Sequence, residues 1–284
     1  MRERKQHPFN LFDKDHPDFK LLVTCDFREL HADGVGAESQ PTEPFTAEDE
    51  EKLWNTAVLS THIPEGLLNV NAVFFSNGKN FILRGGEEHR RLKISQLQRN
   101  ISPDGKVRYT YTENSSKNRS GGFNQLDVPH KVVHQYEDPR AGPRCHVFLL
   151  DLYLSKIPNR AKDQDIFYLR PLPSVPLKES LPWFTCAPVG KNTLSQMTKK
   201  MCGEAKIDGN KTNHSLRAYA TSKLFQAGIP EKVIQDRTGH KSLDGLRKYE
   251  SISEQQKQEA CRVLATLRVS KACFFSLANI QISR

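Results

Sequence analysis

The stretch from Thr212 to Glu250, TNHSLRAYATSKLFQAGIPEKVIQDRTGHKSLDGLRKYE, constrains the fold more than any other part of the chain. Polar capping residues at its start and apolar residues at helical spacing predict a helix that ends at Gly228. Pro230 then opens a second short helix that stops at Gly239. The sequence therefore predicts two consecutive helices, with His240 directly after the second.

Four side chains in this stretch suit chemistry on a phosphodiester. His214 and Arg217 are three residues apart and share one helix face. Arginine matches two phosphate oxygens, and imidazole takes a proton or holds an oxygen. A tyrosine hydroxyl such as that of Tyr249 is a weak nucleophile that needs this help. Taken singly, Arg217 and His240 read as surface caps and Tyr249 as a core residue, whereas together they indicate a reactive site.

Composition narrows the class of protein and of partner. The chain has 284 residues, which is enough for one large domain or two small ones, and a net charge of +9 that favours a polyanionic partner. It contains no apolar run that predicts a membrane span, and its charged first twenty residues lack a signal peptide. Six cysteines without a CxxC pair indicate reduced thiols in an intracellular protein rather than a zinc site, so no metal is expected.

The order HSLR, TGH and then a tyrosine resembles the signature of the tyrosine recombinases, the integrase superfamily. The resemblance covers residues 212–249, including the spacing from His214 to His240 and on to Tyr249. The segments FILRGGEEHRRL and LFQAGIPEKVIQ are similar to the corresponding segments of the crypton-type branch. That branch contains recombinases of mobile elements and host genes derived from them.

The resemblance implies two more site residues. In the family, a motif like FILRGGEEH carries the first phosphate-binding arginine. The resemblance implies that this arginine is Arg84 rather than Arg90 or Arg91, and that Glu87 or Glu88 supports it. The loop between the second and third strands carries the lysine that protonates the departing 5′ oxygen. This implies Lys117, although SSKNRSGG also reads as a flexible basic loop.

The expected fold is mainly α with a small three-stranded antiparallel sheet, like a tyrosine recombinase catalytic domain. Alternating segments predict strands at 92–98, 107–113 and 126–130, with a turn at 103–105. The proline-rich residues 158–190 predict a surface excursion fixed to the core by its aromatic residues. Helices are predicted at 46–60, from Pro64 onward, at 146–157, at 191–206 and after Tyr249, the last with a buried stripe at Ala260, Val263, Leu264 and Leu267.

The chain divides into a loop-rich lead-in at 1–45, a catalytic domain at 46–270 and an apolar tail at 271–284. The lead-in is too short for the separate DNA-clamping domain that family members carry, so the chain is either a fragment or a domain retained by a host. The resemblance implies cleavage and rejoining of double-stranded DNA in the nucleus, with no cofactor, and a homo-oligomer formed through the tail. The alternatives are a non-catalytic DNA- or chromatin-binding module, a type IB topoisomerase and a plain helical scaffold.

Overall fold

The structure is a computed structural model that describes residues 42–61, 66–113, 130–174, 181–250 and 254–265. Within these ranges the fold is mainly helical. Its helices are α1 (Ala47–Asn55), α2 (Gly66–Asn80), α3 (Gly85–Arg90), α4 (His146–Ser155), α5 (Asn159–Asp163), α6 (Lys191–Glu204), α7 (Asn213–Gln226), α8 (Glu231–Thr238), α9 (Leu243–Arg247) and α10 (Glu254–Ala265).

Helix α2 is central because it packs against α4, α6 and α7. It is apolar around most of its circumference, as expected of a helix buried on several sides. Val73 and Phe74 are fully buried within it. Gly78 lets α7 approach closely, because a Cβ atom at this position would lie 2.5 Å from Leu216 Cδ1. The close approach brings the end of α2 beside the face of α7 that carries Arg217.

A three-stranded antiparallel sheet lies in the order β1 (Leu97–Ile101), β2 (Val107–Thr112) and β3 (Val132–Tyr136). The alternating residues of β2 direct Tyr109 and Tyr111 into the core, and Tyr111 pairs with the buried Val133 of β3. The small sheet and the turn at 103–105 confirm the sequence prediction. The position predicted for the third strand is wrong, because β3 begins after residues 126–130.

Residues 126–129 lie outside the described part of the chain. Residues 158–190 also hold more regular structure than predicted, with α5 and a two-stranded sheet of β4 (Leu169–Pro171) and β5 (Phe184–Pro188). Their predicted fixation to the core is confirmed by the buried Phe167 and Trp183.

The predicted buried stripe of α10 is wrong where it is described. Val263 and Leu264 are 65% and 85% exposed, because the described residues do not cover this end of the helix. The last residue of the predicted stripe, Leu267, lies outside those residues, as do the tail at 271–284 and most of the lead-in. No described helix combines the length and the apolar character that a membrane crossing needs.

Candidate active site

The carboxyl end of α2 forms one wall of the site. The last carbonyl groups of a helix have no partner within it and carry a partial negative charge, so they suit cationic donors. Lys131 Nζ donates to the carbonyls of Phe81 at 2.6 Å and Ile82 at 3.2 Å. Arg217 Nη1 also donates to the Ile82 carbonyl, at 2.9 Å. Two cations therefore converge on the turn that follows α2.

Ile82 adopts an uncommon backbone conformation at this turn. Its φ is +53°, a region that β-branched residues rarely occupy and that costs on the order of 1–3 kcal/mol. The side chain is fully buried, and burial holds the residue in place. The strained turn directs one carbonyl oxygen to both Lys131 and Arg217.

The carboxyl end of α8 forms the facing wall. Arg217 Nη2 donates to the Thr238 carbonyl at 2.7 Å, and Arg84 Nη2 donates to the Gly239 carbonyl at 3.0 Å. Gly239 has a left-handed φ of +69°, and a Cβ atom there would lie 3.1 Å from Lys131 Cδ. Glycine thus ends α8, makes room for the lysine and turns the chain so that His240 lies beside Arg217.

Burial and mutual repulsion perturb these cations. Arg217 is 2% exposed, and burial followed by the charge of Arg84 lowers its pKa to about 10. Lys131 is 5% exposed, and burial followed by the charge of Arg217 lowers its pKa to about 7. The nearby carboxylate of Glu88 accepts from the Arg84 main-chain N–H at 2.6 Å, and burial raises its pKa. The pocket thus concentrates positive charge and suits a tetrahedral oxyanion.

Tyr249 and two histidines complete the cluster. The Tyr249 hydroxyl lies 2.8 Å from His214 Nε2, within hydrogen-bond distance. Burial, Arg217 and Arg84 lower the pKa of His214, so its ring is neutral at pH 7 and can take a proton. The His240 ring centroid lies 5.4 Å from that of Tyr249, and its Nε2 lies 3.3 Å from Arg217 Nη2. Burial and the surrounding cations lower the pKa of His240 to about 3.

The main chain of Tyr249 is fixed by contacts on both sides. Ser222 Oγ on α7 donates to the Tyr249 carbonyl at 2.8 Å, and the Tyr249 N–H donates to the Leu246 carbonyl at 3.0 Å. Leu246 packs with Phe225 and Ile234 in a small apolar cluster. This cluster joins α7, α8 and α9, so the three helices place the tyrosine opposite His214.

Five of the six residues singled out from the sequence come together in space: Arg84, His214, Arg217, His240 and Tyr249. Arg84 lies in the cluster, whereas Arg90 and Arg91 pair with Glu87 at the surface. Of the two carboxylates left open by the sequence, Glu88 therefore supports Arg84.

Lys117 lies outside the described residues. Lys131 lies in the pocket and was missed by sequence reasoning, because the third strand was expected to end at residue 130. The signal was present in KVVHQY, where a lysine directly precedes an alternating β-rich segment. Within the described ranges, no three His, Cys, Asp or Glu side chains are grouped so that they could hold a metal ion.

Comparison with known proteins gives two family matches. Residues 44–203 match the family described as a domain of unknown function, DUF3504, and residues 166–256 match the phage integrase family. The second match contains four of the five clustered residues and follows the HSLR, TGH and tyrosine order.

Similar proteins include two much longer chains. Human Zinc finger MYM-type protein 2 is 31% identical over 166 residues, covering 54% of this chain and 12% of that protein. Mouse Transcriptional regulator QRICH1 is 30% identical over 159 residues, covering 54% of this chain and 20% of that protein. The chain thus spans a fifth or less of the length of these relatives.

Among solved structures, the XerH site-specific recombinase in its post-cleavage complex with palindromic difH substrate superposes with a TM-score of 0.51 at 17% identity. The superposition covers 79% of this chain and 53% of the recombinase chain. At this identity the likeness shows the fold alone. The DUF3504 match spans more than half of the sequence, so the chain belongs to the DUF3504 family, and its fold is that of a tyrosine recombinase catalytic domain.

Proposed function

We propose that the protein cleaves and rejoins double-stranded DNA through a covalent phosphotyrosine. The observation that carries the proposal is the 2.8 Å contact between the Tyr249 hydroxyl and His214, beside a pocket of buried cations. A tyrosine paired with a neutral base, and facing donors for a phosphate, has the parts that nucleophilic attack on phosphorus requires. The phage integrase match over residues 166–256 supports the same chemistry.

In the cleavage step, the Tyr249 oxygen attacks the phosphorus and its proton passes to His214. The bond from phosphorus to the 5′ oxygen breaks, leaving a 3′-phosphotyrosine and a 5′ hydroxyl. Arg84, Arg217 and His240 stabilise the charge that grows on the non-bridging oxygens, and donors of this kind contribute about 3–4 kcal/mol each. Rejoining reverses the step with the 5′ hydroxyl of the same or another strand, so bond energy is conserved.

The leaving 5′ oxygen needs a proton, and Lys131 is the donor that the pocket offers. Its Nζ lies within the cation cluster, and its pKa of about 7 suits an acid that works near neutral pH. Lys117, expected from the family, remains the alternative donor. If Lys131 is the acid, kcat/KM falls as the pH rises above about 7, and Lys131→Met removes that limb while Lys117→Met leaves it.

A second candidate function is a DNA- or chromatin-binding module without cleavage, derived from a recombinase. The similarity to Zinc finger MYM-type protein 2 and Transcriptional regulator QRICH1 favours it, and it also motivates nuclear localisation. The crypton-type origin suggested by the sequence is compatible with either function.

The apolar tail at 271–284 and the exposed Val263 and Leu264 motivate a proposal of self-association. Analytical ultracentrifugation of the full chain and of a chain ending at residue 265 would test it.

The experiment that separates the functions uses nicked suicide duplexes from a random pool, from which the 5′ fragment diffuses away after cleavage. Protein and DNA are boiled in detergent and resolved by electrophoresis beside Tyr249→Phe, which keeps the ring. A covalent band in wild type that is absent from the variant supports cleavage. Salt-sensitive DNA binding without a band supports the binding module. Relaxation of supercoiled plasmid without strand exchange would indicate a topoisomerase, and no binding at low salt would leave the scaffold.

A further inference from the structure

Arg237 on α8 contacts two segments outside its own helix. Its Nη2 donates to the Asn80 carbonyl at 3.0 Å and to Gln135 Oε1 at 2.7 Å. Its Nη1 donates to the His134 carbonyl at 3.1 Å. One guanidinium therefore connects the end of α2, strand β3 and the end of α8.

These three segments carry three residues of the pocket, Arg84, Lys131 and His240. Asn80 precedes Arg84 by four residues, His134 follows Lys131 by three, and Arg237 itself precedes His240 by three. Each contact lies about one helical turn, or a few strand residues, from a site residue. A change in the distance between these segments would therefore move Arg84, Lys131 and His240 relative to one another.

The side chain has the chemistry that this position needs. Arginine presents a planar fork of five N–H donors, so it can contact acceptors on separate segments at once, whereas lysine donates from a single nitrogen. Its acceptors are two main-chain carbonyls and an amide oxygen, all neutral. Its charge also faces the carboxyl end of α2, where a cation is favoured. Burial lowers the pKa of Arg237, as expected of a partly enclosed cation.

We propose that Arg237 is a positioning residue that holds the segments bearing Arg84, Lys131 and His240 in register. The proposal rests on the function proposed above, in which these side chains surround one phosphate. It differs from a general stabilising role in a measurable way. A positioning residue changes the geometry of the pocket and the rate of the chemical step, while the rest of the fold and the affinity for DNA remain.

The test compares Arg237→Met and Arg237→Lys with wild type and with Arg170→Met. Arg170 is a matched control, because it also donates to a main-chain carbonyl, that of Pro188, but lies in the two-stranded sheet away from the pocket. Single-turnover formation of the covalent DNA adduct is measured at saturating and limiting DNA. We expect both Arg237 variants to react about 10- to 100-fold more slowly at saturation with nearly unchanged apparent DNA affinity, as loss of alignment predicts.

A second readout does not depend on catalysis. The titration of His240 is followed by NMR, with the buried His89 as an internal control. His89 contacts Phe74 and Tyr168, and its pKa of about 3 is set by burial alone. Loss of register opens the pocket, so the pKa of His240 rises by one unit or more in both Arg237 variants, about a tenfold change in its proton affinity, while that of His89 stays unchanged. Arg170→Met leaves both histidines as in wild type.

Each outcome decides the proposal. An unchanged His240 titration in folded Arg237→Met overturns it, and so does a wild-type cleavage rate. If wild-type protein forms no adduct, the proposed function fails, and the His240 titration alone decides whether Arg237 sets the geometry. If Arg237→Met does not fold, Gln135→Ala removes one acceptor and keeps the charge. It must shift His240 in the same direction, and no shift would refute the positioning role.

Discussion

Binding of an oxyanion to the pocket should draw a proton onto Lys131. With a pKa of about 7, the Lys131 amine carries a proton in only about one tenth of molecules at pH 8. Sulfate, which stands in for the scissile phosphate and does not titrate near neutral pH, places negative charge beside the amine. That charge offsets the burial that chiefly lowers the pKa of Lys131, and also the repulsion from Arg217 and Arg84. As the amine returns toward its ordinary pKa of 10.5, about 0.9 proton is taken up per sulfate at pH 8 and about 0.1 at pH 6.

Isothermal titration calorimetry measures this uptake directly. The sulfate-binding enthalpy is recorded in HEPES and in Tris, whose heats of ionisation differ, and the difference gives the number of protons exchanged. Lys131→Met should abolish uptake at pH 8. His214 and His240 titrate at lower pH, so any contribution from them appears at pH 6 and survives in the variant. Uptake below about 0.3 proton at pH 8, or equal uptake in Lys131→Met, would refute the assignment of a neutral buried lysine.

Three further predictions concern other residues. Glu88→Gln removes a negative charge that favours protonated Lys131, so the alkaline limb of kcat/KM should move to lower pH; an unchanged limb contradicts the coupling. His89 and His146 have folded pKa values of about 3 against an ordinary 6.5, so stability is full above pH 6.5 and falls toward pH 3, by about 1.4 kcal/mol per pH unit for each histidine. Urea unfolding should show that the free energy of unfolding falls less steeply with decreasing pH in His146→Gln than in wild type; an equal slope contradicts the prediction. Ser222→Ala should cost about 1 kcal/mol and slow adduct formation without weakening DNA binding; an unchanged rate contradicts its role in holding the nucleophile.

The sequence was sufficient for the parts of the site that lie on regular elements. Local rules predict that His214 and Arg217 share one helix face and that a glycine ends α8 just before His240. The structure places the side chains of His214, Arg217 and His240 together with Tyr249. The helical class and the small antiparallel sheet were predictable for the same reason, because periodicity and turn residues determine them.

The missed features depend on contacts between distant segments. Lys131 enters the pocket because β3 starts six residues later than expected and because the carbonyls of Phe81 and Ile82 need donors. The positive φ of Ile82 is not readable from an isoleucine, since tertiary packing imposes it. The three acceptors of Arg237 lie more than one hundred residues away along the chain. No local sequence pattern predicts hydrogen bonds over such a separation.

The exposed end of α10 shows the limit of periodicity in the other direction. Val263 and Leu264 recur at helical spacing, which predicts a buried face, yet both are largely exposed. An apolar stripe indicates that a helix has something to pack against and leaves the partner unspecified. Tyr249 is different, because its contacts with Ser222 and His214 on α7 and with Leu246 on α9 all lie within the described chain.

We expect Tyr249 to form the covalent bond to DNA. The most direct test is mass-spectrometric mapping of the peptide that carries a nucleotide after wild-type protein has reacted with suicide duplex and been digested with nuclease and protease. We predict a nucleotide joined through its 3′ phosphate to Tyr249, and no such peptide from Tyr249→Phe. A nucleotide on another residue, or none despite salt-sensitive DNA binding, would contradict it.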